Sequence, residues 1–96
     1  MVIKMIKIAP SILASDFSNL NTEINQVVKG GADLIHLDIM DGVFVPNITF
    51  GPEVIKCLPK FEGIEYDAHL MIAQPENNIQ SFLDLNLDRI AIHVES

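Results

Sequence analysis

The sequence is short of several kinds of residue, and each shortage excludes a class of protein. Only one of its 96 residues, Cys57, is a cysteine, so no disulfide can form within the chain. Six lysines and arginines stand against 13 aspartates and glutamates, giving a formal net charge of −7. This acidic balance argues against binding to nucleic acid or to an anionic membrane. No apolar run approaches the roughly 20 residues that a helix needs to cross a bilayer.

What the chain does contain is apolar material for a core. Hydrophobic residues make up 49% of the sequence and the mean hydropathy is +0.32, which favours a packed protein over a disordered tail. Lys4 and Lys7 interrupt the apolar N-terminal segment, which does not have the pattern of a signal peptide. We therefore expect residues 1–96 to form a single unit without a linker or a second domain, located in the cytoplasm.

Short apolar segments alternate with helical patterns, which predicts the order βαβαβαβ. A helix is expected to begin at Asp16 or Ser18 and to end at Gly30, and Pro52 and Pro75 mark the starts of two more. Such alternation predicts a parallel sheet with right-handed crossovers. The four predicted strands are residues 5–9, 33–39, 64–71 and 89–94.

Polar side chains lie near the carboxyl ends of these strands, where parallel α/β folds form ligand sites. His36 and Asp38 share one face of a strand, because side chains alternate, and His69 lies at the same end of the next strand. Two nitrogens and one oxygen suit Zn²⁺, Fe²⁺, Mn²⁺ or Co²⁺, and the spacing does not select among them. The alternative is a group of interior polar residues that are hydrogen-bonded and bind no metal.

Neighbouring residues extend this candidate site. Asp38 could remove a proton α to a carbonyl while a metal stabilises the developing enediolate. Met40 and Met71 continue the same strand faces, where they either line a dry site or pack in the core, and spacing alone favours packing. Asp67 shares the face of His69, and either orients a neighbouring side chain or has a structural role.

The chain contains the segments APSILASDFSNL, HLDIMDGVFVPNITFGP, DAHLMI and IAIHVES. Together they closely resemble the ribulose-phosphate 3-epimerase family, in the right order and over nearly the whole chain. This family forms a TIM, or (βα)₈, barrel and interconverts D-ribulose 5-phosphate and D-xylulose 5-phosphate. The resemblance therefore implies an α/β fold, namely a parallel half-barrel that corresponds to the first half of such a barrel.

The resemblance also assigns roles to single residues. It implies that one divalent metal ion is held by His36, Asp38 and His69, and that Asp38 is one of two aspartates that exchange the C3 proton. Substrate contacts are implied for Ser11, His69, Met40 and Met71. The loop 41–49 matches the segment that shapes the mouth of the pocket. His93 matches a histidine near the end of the fourth strand and is not expected to be a ligand.

The chain is shorter than a complete barrel, which typically has about 250 residues. The family's second catalytic aspartate, also its fourth metal ligand, and its glycine-rich phosphate loops match no residue here. We therefore expect the isolated chain to be a poor epimerase. Because a half-barrel exposes unpaired strand edges, we also expect a homo-oligomer.

Three alternatives stay open at this point. A hexulose-phosphate 3-epimerase, acting for example on D-allulose 6-phosphate, would share the same motifs. A half-barrel assembly could bind metal without exchanging protons. An inert fragment would keep the histidines and aspartates without using them. The expected partner in the leading interpretation is a small sugar phosphate, with neither nucleic acid nor a membrane.

Overall fold

A computed structural model describes residues 6–96 as a three-stranded parallel sheet with helices. Strands β1 (Leu34–Met40), β2 (Glu65–Met71) and β3 (Arg89–Ile92) lie in that order. Helix α1 (Leu20–Lys29) precedes β1, and the two crossovers contain α2 (Pro52–Ile55) and α3 (Ile79–Leu83). The open parallel sheet confirms the predicted α/β class and is consistent with half of a TIM barrel.

Helix α1 forms where the sequence predicts it, with one change at its start. Asp16 caps a short 3₁₀ helix at Phe17–Asn19, and that turn leads directly into α1. Ile24 is fully buried on the inner side of α1. The chain then reverses at Gly31, whose φ of 105° lies in the left-handed region that glycine adopts without strain.

The core lies on one face of the sheet. Side chains of β1 and β2 that point to this face are almost completely buried. Those of the opposite face are only partly buried, except Leu34 at the start of β1. Each helix contributes at least one buried side chain, namely Ile24, Ile55 or Phe82. No polar side chain is fully buried among residues 6–96, so the stability of this face comes from apolar packing. The buried strand residues on the core face include Ile35, Leu37, Ile39, Tyr66, Ala68 and Leu70.

The predicted buried strand at residues 5–9 is wrong over the residues that the structure describes, while Met5 lies outside them. Ile6 and Ile8 are 78% and 56% exposed, and the segment is not a regular strand. It still lies beside β1, because the carbonyl oxygens of Ile8 and Pro10 accept hydrogen bonds from its amides. Pro10 has no amide hydrogen, and the Ile8 amide donates to the Asp33 side chain. The backbone hydrogen-bond ladder between this segment and β1 is therefore incomplete.

The predicted last strand is shorter than expected. It ends at Ile92 instead of residue 94, because the amide and hydroxyl of Ser96 both donate to the His93 carbonyl oxygen and close a turn. Val94 in this turn is 99% exposed. Over residues 6–96, no helix has the length and apolar character required to cross a membrane.

Candidate metal centre

The register of β1 and β2 places three pairs of side chains next to one another on the face opposite the core. The strands are parallel, so equivalent positions advance together towards their carboxyl ends. Two of the pairs are polar and the third consists of thioethers. In chain order the pairs are His36–Asp67, Asp38–His69 and Met40–Met71.

Three of these side chains converge on one point. The Nε2 atom of His36 lies 3.1 Å from Oδ1 of Asp38, and Nδ1 of His69 lies 3.4 Å from the same oxygen. One ligand atom from each of the three residues lies within 4.8 Å of the others. The Asp38 side chain is only 14% exposed, so its carboxylate is partly shielded from water. The structure thus brings together the three predicted ligands.

The other ring nitrogen of His36 indicates which of its atoms is free to bind a cation. Nδ1 lies 3.1 Å from Oδ2 of Asp67. A carboxylate only accepts, so hydrogen on Nδ1 satisfies Asp67, and in that tautomer Nε2 has the lone pair that a cation beside Asp38 requires. Two electron-rich atoms 3.1 Å apart are stabilised by a cation between them, and this donor set suits a divalent transition metal. The contact agrees with the orienting role suggested for Asp67.

His69 also has a partner on its far side, which the sequence reasoning missed. Its Nε2 lies 2.7 Å from Nε2 of His93, and Nδ1 of His93 lies 2.9 Å from Oε1 of Glu95. The sequence signal for this arrangement is the two-residue spacing of His93 and Glu95. That spacing does not by itself reveal the contact with β2, because it depends on where the turn after β3 places the ring.

Ser11 reaches the site from the segment before α1. It forms an isolated parallel bridge with His36, and its hydroxyl donates a hydrogen bond to Oδ2 of Asp38. The same hydroxyl oxygen accepts from the Leu13 amide at 3.1 Å, which begins the short 3₁₀ helix Ile12–Ala14. The two oxygens of Asp38 therefore have different surroundings. The predicted substrate contact of Ser11 stays a prediction.

Met40 and Met71 lie side by side beyond the polar pairs. Both are partly buried and neither belongs to the core cluster on the opposite face. Their position favours an apolar border of the site over ordinary core packing. Their contact with substrate stays a prediction.

Asp41 fastens the loop that follows β1, and the sequence did not reveal this role. Its Oδ2 accepts from the Ala73 amide at 2.8 Å, and its Oδ1 accepts from the amides of Phe44 and Val43 at 3.0 and 2.9 Å. These hydrogen bonds, led by the one from Ala73, lower the pKa of the Asp41 carboxyl below its ordinary value of 3.8. The carboxylate thereby joins the loop 41–49 to the segment after β2.

Thr49 fastens the other end of the same loop. Its hydroxyl donates to the Asp38 carbonyl oxygen at 2.8 Å and accepts from the Met40 amide at 3.0 Å, while its own amide donates to the Met40 carbonyl oxygen at 3.1 Å. The backbone around the central carboxylate is therefore held by a side chain eleven residues further along the chain.

Comparison with known proteins decides the family. The sequence profile described as "Ribulose-phosphate 3 epimerase family" matches residues 7–96. The chain belongs to the ribulose-phosphate 3-epimerase family. The proteins named ribulose-phosphate 3-epimerase from Bacillus subtilis (strain 168) and from Synechocystis sp. are each 48% identical to it over 92 residues, or 96% of the chain. The ribulose-phosphate 3-epimerase described as a cytoplasmic isoform from Oryza sativa subsp. japonica is 44% identical over 89 residues, or 93% of the chain.

The chain covers only part of these epimerases. It matches 42% of the length of the Bacillus protein, 40% of the Synechocystis protein and 39% of the Oryza protein. All three candidate ligands, together with Ser11 and both methionines, lie within the matched residues 7–96. Family membership thus agrees with the resemblance found in the sequence motifs.

Proposed function

We propose that this chain supplies part of the active site of a metal-dependent 3-epimerase that interconverts D-ribulose 5-phosphate and D-xylulose 5-phosphate. The observation that carries the proposal is the convergence of His36 Nε2 and His69 Nδ1 on the Asp38 carboxylate. The names of the related epimerases support the reaction and the sugar phosphate substrate. The pentulose phosphate is favoured over a hexulose phosphate by these names.

A divalent ion of zinc, iron, manganese or cobalt would be held by His36, Asp38 and His69, and would act as a Lewis acid towards the negative charge of the substrate enediolate. Asp38 removes the C3 proton, so that the C–H bond breaks, the proton passes to the carboxylate and the electron pair enters the enediolate. Return of a proton to the opposite face needs a second acid, which is not assigned to any residue of this chain.

The remaining residues of the site prepare Asp38 for this step. The Ser11 hydroxyl donates to Oδ2 and holds the plane of the carboxylate. Thr49 holds the backbone of Asp38 and Met40. Met40 and Met71 limit access of water beside the carboxylate, and a drier site strengthens its electrostatic interactions.

The decisive experiment follows the C3 proton of ribulose 5-phosphate by NMR in D₂O, with and without added Zn²⁺, Mn²⁺ or Fe²⁺. Exchange should require the metal and should fall by roughly 10²- to 10⁴-fold in Asp38→Asn, the range expected for loss of a general base. Asp84→Asn, at the end of α3 and away from the site, is the matched control. Metal-dependent exchange that survives Asp38→Asn would contradict the assignment of the base.

Binding of metal is measured in the same samples. Bound metal with no exchange would mean that the reaction requires residues beyond this chain, as expected from the missing second acid. Failure of the unmodified chain to bind any of the three ions would contradict the metal site itself.

The cytoplasmic location stays a prediction. The Oryza relative described as a cytoplasmic isoform supports it. Fluorescence microscopy of the tagged protein in its own cells tests this prediction.

A further inference from the structure

The contact between His69 and His93 has the geometry of a hydrogen bond between two imidazoles. The two Nε2 atoms are 2.7 Å apart. The ring planes are inclined by only 29° and the centroids are 4.8 Å apart, which places the rings end to end rather than face to face. In this arrangement an N–H bond of one ring points at the nitrogen lone pair of the other.

Glu95 determines the direction of that hydrogen bond. Its carboxylate, 2.9 Å from Nδ1 of His93, only accepts, so Nδ1 of His93 carries a hydrogen. A neutral His93 then has a lone pair on Nε2 and accepts from Nε2–H of His69. A neutral His69 with its hydrogen on Nε2 has its lone pair on Nδ1, the atom 3.4 Å from Oδ1 of Asp38.

The surroundings hold His93 in this position from two further sides. The ring of Phe44 lies 5.0 Å from the His93 ring, centroid to centroid. Ser96 donates twice to the His93 carbonyl oxygen and closes the turn that contains Glu95. The imidazole is thus fixed by an aromatic neighbour and by its own turn, as well as by the carboxylate.

We propose that Glu95 and His93 are positioning residues that hold His69 in its Nε2–H tautomer, so that Nδ1 is available as a metal ligand. They have the same relation to His69 that Asp67 has to His36, except that a second imidazole stands between carboxylate and ligand. Carboxylate partners of this kind fix ring orientation and raise the basicity of the ligating nitrogen. The effect on metal binding rests on the proposed function, whereas the tautomer is a property of the metal-free chain.

The tautomer is measured directly by ¹⁵N NMR of the imidazole rings in the metal-free 96-residue chain, at mildly alkaline pH. We expect the shifts of His69 to report hydrogen on Nε2 and those of His93 to report hydrogen on Nδ1. Glu95→Gln should shift both rings towards tautomer mixtures. Glu76→Gln removes an exposed carboxylate outside the described hydrogen-bond network and should leave all shifts unchanged.

Zn²⁺ affinity, measured by competition with a chromophoric chelator, is the second readout. Loss of an outer partner of a ligating histidine typically costs about 10- to 100-fold in affinity, and we expect that loss in Glu95→Gln and in His93→Leu. In His93→Gln the amide oxygen can still accept from Nε2–H of His69, so this variant should recover most of the affinity. A purely structural role for His93 does not predict this recovery.

Two results would overturn the inference. One is hydrogen on Nδ1 of His69 in the unmodified chain. The other is wild-type tautomers and Zn²⁺ affinity in both Glu95→Gln and His93→Leu. Expected tautomers in a chain that binds no divalent metal would support the positioning role and would count against the proposed function alone.

Discussion

The two faces of β1 and β2 differ in burial and in chemistry. On the core face Ile35, Leu37 and Leu70 are fully buried and belong to the hydrophobic core cluster. On the opposite face His36, Asp38 and His69 are partly buried and lie close to one another. Adjacent residues of one strand thus have different roles. Apolar packing on the core face stabilises the fold. On the other face polar groups lie close together, and without a ligand this arrangement would add little to stability.

Substitution on the core face should cause the largest loss of stability. Leu37→Ala deletes fully buried atoms and leaves a cavity, so we expect the free energy of unfolding to fall by about 2–5 kcal/mol. Urea denaturation followed by circular dichroism measures this loss. Val94→Ala, at a side chain that is 99% exposed, is the control and should change stability by less than about 0.5 kcal/mol. Equal losses in the two variants would contradict the division of the strands into faces.

Substitution on the polar face should reverse the pattern. His36→Gln removes a ligand nitrogen, and we expect Zn²⁺ affinity to fall by at least about 100-fold, since even outer partners cost 10- to 100-fold. The metal-free stability should change far less than in Leu37→Ala, because His36 is outside the buried core. Isothermal titration and urea denaturation on the same sample give both quantities. A large stability loss with unchanged affinity would assign His36 to the fold.

The loop carboxylate should make stability depend on pH at the acid end. The folded-state pKa of Asp41 is lowered, so its hydrogen bonds stabilise the protein above the unfolded pKa near 3.8 and are lost as pH falls through the lower folded value. Asp41→Asn should therefore flatten the fall in stability below about pH 4. Thermal unfolding at a series of pH values tests this effect, and Glu62→Gln, an exposed residue before β2, is the control. If Asp41→Asn lost stability at acid pH as steeply as the unmodified chain, the proposed effect of Asp41 would be excluded.

A substitution at the sheet edge should change association between chains more than it changes the stability of one chain. Beyond β3 no strand pairs with the sheet among residues 6–96, and Ile92 on β3 is 56% exposed. We therefore predict self-association, weakened by Ile92→Lys because a charged residue discourages edge pairing. Light scattering at micromolar concentration measures it. A compact monomer before any substitution would refute this prediction.

The sequence predicted the two faces well because alternation along a strand is a local property. The separation of His36 and Asp38 from Ile35 and Leu37 follows from period two alone, and both strands follow it. Alignment of the Asp38–His69 pair followed from the parallel topology. Over residues 6–9 the predicted strand failed, because strand formation depends on a complete hydrogen-bond ladder with a neighbouring strand, and an apolar pattern does not report that ladder.

The contacts missed at the site are those between residues far apart in the chain. Asp41 binds an amide 32 residues away, and His69 meets His93 across 24 residues. Both contacts depend on the positions of turns, which residue types near each partner do not determine. The motif resemblance identified His93 as a matched position without indicating what it touches.

The loop after β1 is held at both ends, which has a consequence for how the surroundings of the Asp38 carboxylate can change. Its first residue, Asp41, is bound to the segment after β2, and its last, Thr49, is bound to the backbone of β1. Both ends of the loop are already held, so new side chains at positions 45–47, which follow the Phe44 ring that packs beside His93, add little cost in ordering entropy. Evolution or design can exchange these three side chains while the Asp38 carboxylate keeps its position.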